Sequence, residues 1–210
     1  MQRFTQTIKN SIFVIALFTL AFAFIGANIS PENPWVLAKE EEGIKIYTRV
    51  RLGSPLKEFK GTMVVNSTIS KLEKILDEVE QYPDWQTSIT ISNVVKSVSD
   101  SSRYVQFLSD LPWPITSREA VALMTKKKQT QSSLRYEFDG SADVIAPTED
   151  YIRIKSTEGY WQFNLLANGK IRVTQSFFGD PAGSLPDWVI NLFIVDAPLE
   201  TFKNLKSLSE

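Results

Sequence analysis

The 210-residue chain contains no cysteine and no histidine. The first absence removes disulfides, thiol nucleophiles and a lipid-modified cysteine anchor. Together the two remove Ser-His-Asp and Cys-His catalysis and the usual zinc ligand sets. An excess of charge is also missing: 23 basic residues stand against 24 acidic ones, a formal net charge of −1. That balance gives no electrostatic footprint for nucleic acid, so no nucleic-acid partner is expected. Carboxylate pairs, Ser-Lys arrangements and oxygen-ligand cations such as calcium survive these exclusions, but the sequence carries no cluster of the kind each needs. Neither a metal nor a cofactor is expected.

What the chain does have is apolar surface. With 43% hydrophobic residues, it can bury a substantial core in one domain. The start is different in character. MQRFTQTIKN holds Arg3 and Lys9 and no acid, and an apolar run from Ile12 to Ile25 follows. This is the outline of a secretory signal, with Ala21 and Ala23 as one A-x-A cleavage site and Ala27 as another end point. The alternative is an uncleaved anchor, because the run is only a little shorter than the ~18 residues of a spanning helix. Residues 1–27 are therefore read as a signal peptide or N-terminal membrane anchor and 28–210 as the functional domain. Export to a periplasm or the exterior is expected, or else attachment through residues 12–25. Cleavage after Ala27 leaves 21 basic residues against 24 acidic ones.

The period then sets the elements. Residues 35–42 read as a short helix stopped by Gly43, and Ile44 to Val50 as a strand with Ile44, Ile46 and Thr48 on one face. The segment LKEFKGTMVVNST is a second strand, with Phe59, Met63 and Val65 facing a core and Gly61 at a bulge. Ile69, Leu72, Ile75, Leu76 and Val79 recur at helical spacing behind a capping-box pair, Ser70 and Glu73, and Pro83 ends that helix. From residue 89 to residue 179 short strands alternate with turns, which predicts a mostly antiparallel meander. The Lys126-Lys127-Lys128 run falls at an expected hairpin tip and reads as a solvated turn, with contact to anionic headgroups as the functional alternative. Asn66-Ser67-Thr68 fits a glycosylation sequon.

The last helix has two halves. Trp188 to Val195 is apolar on every side except Asn191, whereas Leu199, Phe202, Leu205 and Leu208 form a single stripe. The first half therefore requires a second apolar neighbour: a ligand, a membrane or a covering loop. Pro198 lacks the amide of the helical ladder, so a kink or break is expected near Val195 to Pro198. The fold class is α+β, an antiparallel sheet with a long closing helix. Earlier in the chain LPWPITSREAV holds two prolines around Trp113, a stiff loop ahead of a strand.

The segments GIKIYTR, YPDW, PWPITSREAV and GSLPDWVINLFIVDAPLETFKNLK, taken in order, resemble the START lipid-transfer domain family of the helix-grip, Bet v 1-like superfamily over residues 35–208. Pro114 to Glu119 and Leu185 to Asn191 are the most specific pieces. The resemblance implies a curved antiparallel sheet wrapped around a long C-terminal helix, enclosing a hydrophobic cavity for one lipid-like molecule. It implies non-enzymatic lipid binding and transfer by a monomer that touches membranes transiently. By resemblance, the loop 111–117 and the helix half Trp188 to Val195 form the gate, and Trp113 meets that helix half. The Arg118 side of its strand, with Ala120, Ala122 and Met124, faces the cavity beside Val105 and Phe107. Some family members carry a buried acid-base pair where this chain has Val105 and Met124, so that contact to a sterol hydroxyl is not available here. The candidate ligand-binding residues are Trp85, Val105, Phe107, Trp113, Arg118, Met124, Trp161, Phe163, Val189 and Phe193. For each aromatic residue the alternative is plain core packing, and for Arg118 it is binding to backbone carbonyls. The competing function is an enzyme of cyclase or aromatase type acting on a hydrophobic substrate, resting on Arg118, Glu119, a tyrosine or a pocket acid.

Overall fold

The computed structural model describes residues 33–183 and 185–210; the candidate signal or anchor segment lies outside them. Pro34 to Glu210 form one compact unit. Ten strands make one open sheet: β1 (Val36–Glu41), β2 (Ile44–Val50), β3 (Lys57–Val65), β4 (Ile91–Ser99), β5 (Ser102–Ser109), β6 (Ser117–Thr130), β7 (Ser133–Gly140), β8 (Tyr151–Arg153), β9 (Thr157–Leu165) and β10 (Ile171–Gly179). Their order across the sheet is β1-β2-β3-β10-β9-β7-β6-β5-β4. The pairs along this path are antiparallel, as the short turns predict, and only β8 lies off it, parallel to β6.

Helix α1 (Ile69–Asp77) packs on β7 and β9. The closing helix is built from α2 (Asp187–Asn191), a π-helical turn over Leu192–Asp196, and α3 (Ala197–Ser209) packed on β2 and β3. Both long helices cover one face of the sheet. Leu72 and Leu76 of α1, Leu199, Phe202 and Leu205 of α3, and inward residues of seven strands form a single buried cluster. This is the helix-grip architecture that the sequence reading expected.

Several local readings change. Residues 36–41 form the edge strand β1, not a helix. Glu42 and Gly43 both take positive φ, 51° and 77°, so the two make the tight turn of a β1–β2 hairpin. Helix-favouring side chains yield here to pairing with β2, and the Trp35 ring is held under Arg49 at 4.3 Å and Lys60 at 4.6 Å. Gly61 is not at a bulge, since β3 keeps unbroken register with both neighbours. It is glycine because a Cβ would overlap the Phe202 ring. The cap of α1 is Thr68, whose hydroxyl accepts from the Lys71 amide at 3.1 Å, and Pro83 sits inside the 3-10 segment Val79–Asp84 that follows α1. Lys126 to Lys128 lie within β6, and its hairpin turns only after Thr130. At Pro198 the chain does not break: the π turn absorbs the missing amide and Pro198 enters the first turn of α3. Leu208 is exposed, leaving Leu199, Phe202 and Leu205 as the buried stripe.

Candidate functional site

Between the sheet and the first half of the closing helix lies an apolar cavity of about 190 Å³. Its sheet wall comes from inward positions of adjacent strands: Phe107 on β5, Ala120 and Ala122 on β6, Phe138 on β7, Trp161 on β9 and Gln175 on β10. Its lid is Ile190, Phe193, Ile194 and Pro198. Phe193 and Ile194 of this lid lie in the π-helical turn ahead of α3. The second neighbour demanded by the all-round apolar half-helix is thus the cavity. Towards α1 the grip is filled: Trp161 packs on Phe202 at 5.4 Å and on Trp85 at 5.8 Å between ring centres. The void is confined to the end where β2, β5 and β10 finish and β3, β6 and β9 begin.

Of the ten candidate ligand residues, Phe107, Arg118, Trp161 and Phe193 stand on the cavity wall. Trp85, Val105, Phe163 and Val189 are buried core without a place on that wall. Met124 is buried as well and borders a separate polar depression beside Asp77 and Arg103. Trp113 departs furthest from expectation. It is 92% exposed, so it neither meets Phe193 nor closes the mouth, and the loop 111–117 contributes nothing to the wall. The rim is instead made by Leu56, Ser109, Gly179, Pro181 and Leu185. Among the wall residues missed in sequence, Phe138 and Gln175 lie on strands whose inward parity follows from alternation once their neighbours are known.

The Arg118 side of β6 does face the cavity, and the charge is engaged. Arg118 donates from Nε to the Pro181 carbonyl at 2.6 Å, from Nη2 to the Ala182 carbonyl at 3.2 Å, and from Nη1 to the Thr116 carbonyl. Burial lowers its pKa from the ordinary value. One guanidinium thereby ties the strand mouth to the segment that leads into α2. The neighbouring Glu119 points the other way. Its carboxylate stands 3.1 Å from Arg153 Nε and accepts from the Thr148 amide at 2.7 Å, the Thr148 hydroxyl at 2.8 Å and Gln106 Nε2 at 3.0 Å. Burial pushes the Glu119 carboxyl up, but Arg153, Thr148 and Gln106 outweigh it and hold the group below its ordinary value. A carboxylate so fixed in its charged form is unsuited to general acid work. At the opposite end of the sheet, Asp77 gathers Arg103 at 2.9 Å, Lys126 at 2.8 Å and the Tyr136 hydroxyl at 2.9 Å. This network fastens α1 to β5, β6 and β7.

A large, mostly antiparallel sheet closed over by a C-terminal helix, with an apolar void between them, defines the START helix-grip class, and the chain has that fold. No family model matches it. The chain is similar to an uncharacterized protein of Pseudomonas aeruginosa, 29% identical over 199 residues that cover 94% of this chain and 98% of that one. Among solved structures it is similar to the STAR-related lipid transfer protein of Xanthomonas axonopodis, with a TM-score of 0.74, 29% identity, and coverage of 82% of this chain and 97% of that chain. Human StAR-related lipid transfer protein 5 superposes with a TM-score of 0.70 at 18% identity, covering 97% of both chains. The wider fold extends to an enzyme, the Zhui aromatase/cyclase of a Streptomyces, at a TM-score of 0.50, 13% identity, and coverage of 71% of this chain and 91% of that chain. The START neighbours, like this chain, have the sheet and the closing helix in common.

Proposed function

We propose that the chain is an exported, non-enzymatic carrier that holds one hydrophobic molecule in the cavity and exchanges it at a membrane. The single observation that carries this reading is the cavity, mainly apolar on its sheet wall and apolar on its helical lid, and covered by a helix half that has no other reason to be apolar all round. Burial of ligand carbon supplies affinity at about 25 cal/mol per Å². Passage in or out requires movement of Ile190, Phe193 and Ile194, and the segment 180–183, held at Pro181 and Ala182 by Arg118, is the joint on which that half-helix swings. Contact with a membrane is supported by the exposed apolar residues beside the rim, Leu52, Trp113 and Trp188. Export is supported by Arg3, Lys9 and the apolar run that follows them. The carrier acts as a monomer.

Native mass spectrometry of the purified chain, before and after incubation with a total lipid extract, tests the proposal. A lipid-sized adduct held one to one is the expected result. Apo protein alone under both conditions overturns it.

A further inference from the structure

The side chains of β10 that face the helices are Ile171, Val173, Gln175, Phe177 and Gly179, and Gln175 breaks an otherwise apolar series. It lies directly across from Trp161 on β9 and from Gly61 on β3. That is the innermost row reaching the cavity, because Phe202 fills the space above Gly61. The Gln175 Oε1 atom is shielded from solvent and, among the described residues, has no hydrogen-bond partner. A buried amide on the other face of the sheet is satisfied: Gln162 on the adjoining strand donates to Ser133 Oγ at 2.8 Å and to the Leu134 carbonyl at 3.2 Å. A leucine at position 175 would fit the same volume without an unpaired carbonyl, and an unpaired buried polar atom is costly.

We infer that Gln175 is the internal polar anchor of the cavity, and that the ligand is a neutral, hydroxyl-bearing apolar molecule that enters hydroxyl end first. The inference rests on the reading of the cavity as a ligand site. A carboxamide offers an acceptor and a donor side by side, so an alcohol O–H donates to Oε1 while its oxygen accepts from Nε2. A carboxylate or phosphate brings no proton for Oε1. Nor would it find a cation at this depth: the charged bases on the wall, Lys57 and Arg118, stand at the rim, and Arg118 already holds three carbonyls. The void of about 190 Å³ is below the ~300–1,000 Å³ of pockets for drug-sized ligands, which favours a slender or short molecule over a two-chain phospholipid.

The test titrates the purified chain with 1-decanol and with n-decane, reading heat by calorimetry and the intrinsic tryptophan fluorescence to which the cavity residue Trp161 contributes. Gln175→Leu is expected to weaken 1-decanol about tenfold, the scale of one hydrogen bond to an otherwise unpaired buried group, while n-decane binds as tightly as before or tighter. Gln175→Met, of similar length and without the amide, is expected to do the same, and retained n-decane binding certifies the fold of either variant. If the substitutions leave 1-decanol unchanged, or weaken both probes alike, the Gln175 assignment is overturned while the cavity reading stands. If the wild-type chain takes up neither probe, the cavity reading falls and takes the anchor with it.

Discussion

At the scale of single residues, adjacent positions on β6 do opposite things because a strand alternates its faces. Arg118 points to the cavity side and binds carbonyls, whereas Glu119 points outward into a ring of donors. The Glu119 side chain is fully buried and that of Arg153 is 7% exposed; without Glu119, Arg153 keeps the carbonyls of Ala142, Ile145 and Ala146 but loses its countercharge, so Glu119→Gln is expected to cost about 3 kcal/mol. The sign of the pH dependence follows from the lowered carboxyl. Glu119 stabilises the fold in full above the ordinary value of 4.5, and that contribution is lost as pH falls through the lower value of the folded state. Urea unfolding midpoints measured from pH 7 down to pH 3 should fall more steeply for the wild-type chain than for Glu119→Gln, and the two curves should converge at the acid end. Parallel curves would show that Glu119 is not a source of the acid sensitivity.

At the scale of elements, alternation and helical period make most of the strands and α1 legible in sequence, because those patterns are local. The errors have non-local causes. Residues 36–41 have a helix-like composition and become β1 only because β2 offers a pairing edge across the Glu42-Gly43 turn. Gly61 looks like a bulge until Phe202, 141 positions further on, is known to need its space. Proline 198 predicts an interruption, but whether that is a break or a π turn depends on how the two halves of the helix pack. The gate is the clearest case. The Arg-acid pair marks the mouth in sequence, yet nothing local tells that Arg118 reaches the carbonyls of Pro181 and Ala182 and so latches the segment before α2. Arg118→Lys keeps the charge and loses the planar fork that spans several acceptors. Elastase is therefore expected to cleave after Ala182 several-fold faster in the Lys variant, with cleavage elsewhere unchanged. Equal rates at Ala182 would remove the latch from the proposal.

At the scale of the whole molecule, the ends of the sheet differ in charge and in apolar exposure, and the difference decides how the protein would meet a membrane. The loops 51–56, 110–116 and 141–150 and the segment 180–183 gather at the cavity end, since each adjoins strand ends on that side. With the adjoining segment 154–156 they carry two bases, Arg51 and Lys155, against Asp110, Asp143, Glu149, Asp150 and Asp180. The same end exposes Trp113 at 92%, Leu52 at 60% and, on α2, Trp188 at 55%. The basic run lies at the far end. Lys126 is engaged by Asp77 at 2.8 Å and Glu73 at 3.2 Å, and Lys127 by Glu137. Attraction to anionic headgroups, worth roughly 1 kcal/mol per free base near the surface, is therefore not what would seat the cavity mouth on a bilayer. Insertion of the two indoles would, at on the order of 2 kcal/mol each for partial burial. Co-sedimentation with phosphatidylcholine vesicles is expected to show weak binding that does not rise when phosphatidylserine is added and changes little with salt. Trp113→Ala combined with Trp188→Ala should reduce that binding at least tenfold, because these two rings are the large aromatic surfaces exposed at that end. Replacement of Lys127 and Lys128 by Gln should leave it intact. Binding that instead grows with phosphatidylserine and vanishes with the lysines would turn the molecule around, putting the far end of the sheet, not the cavity mouth, against the lipid.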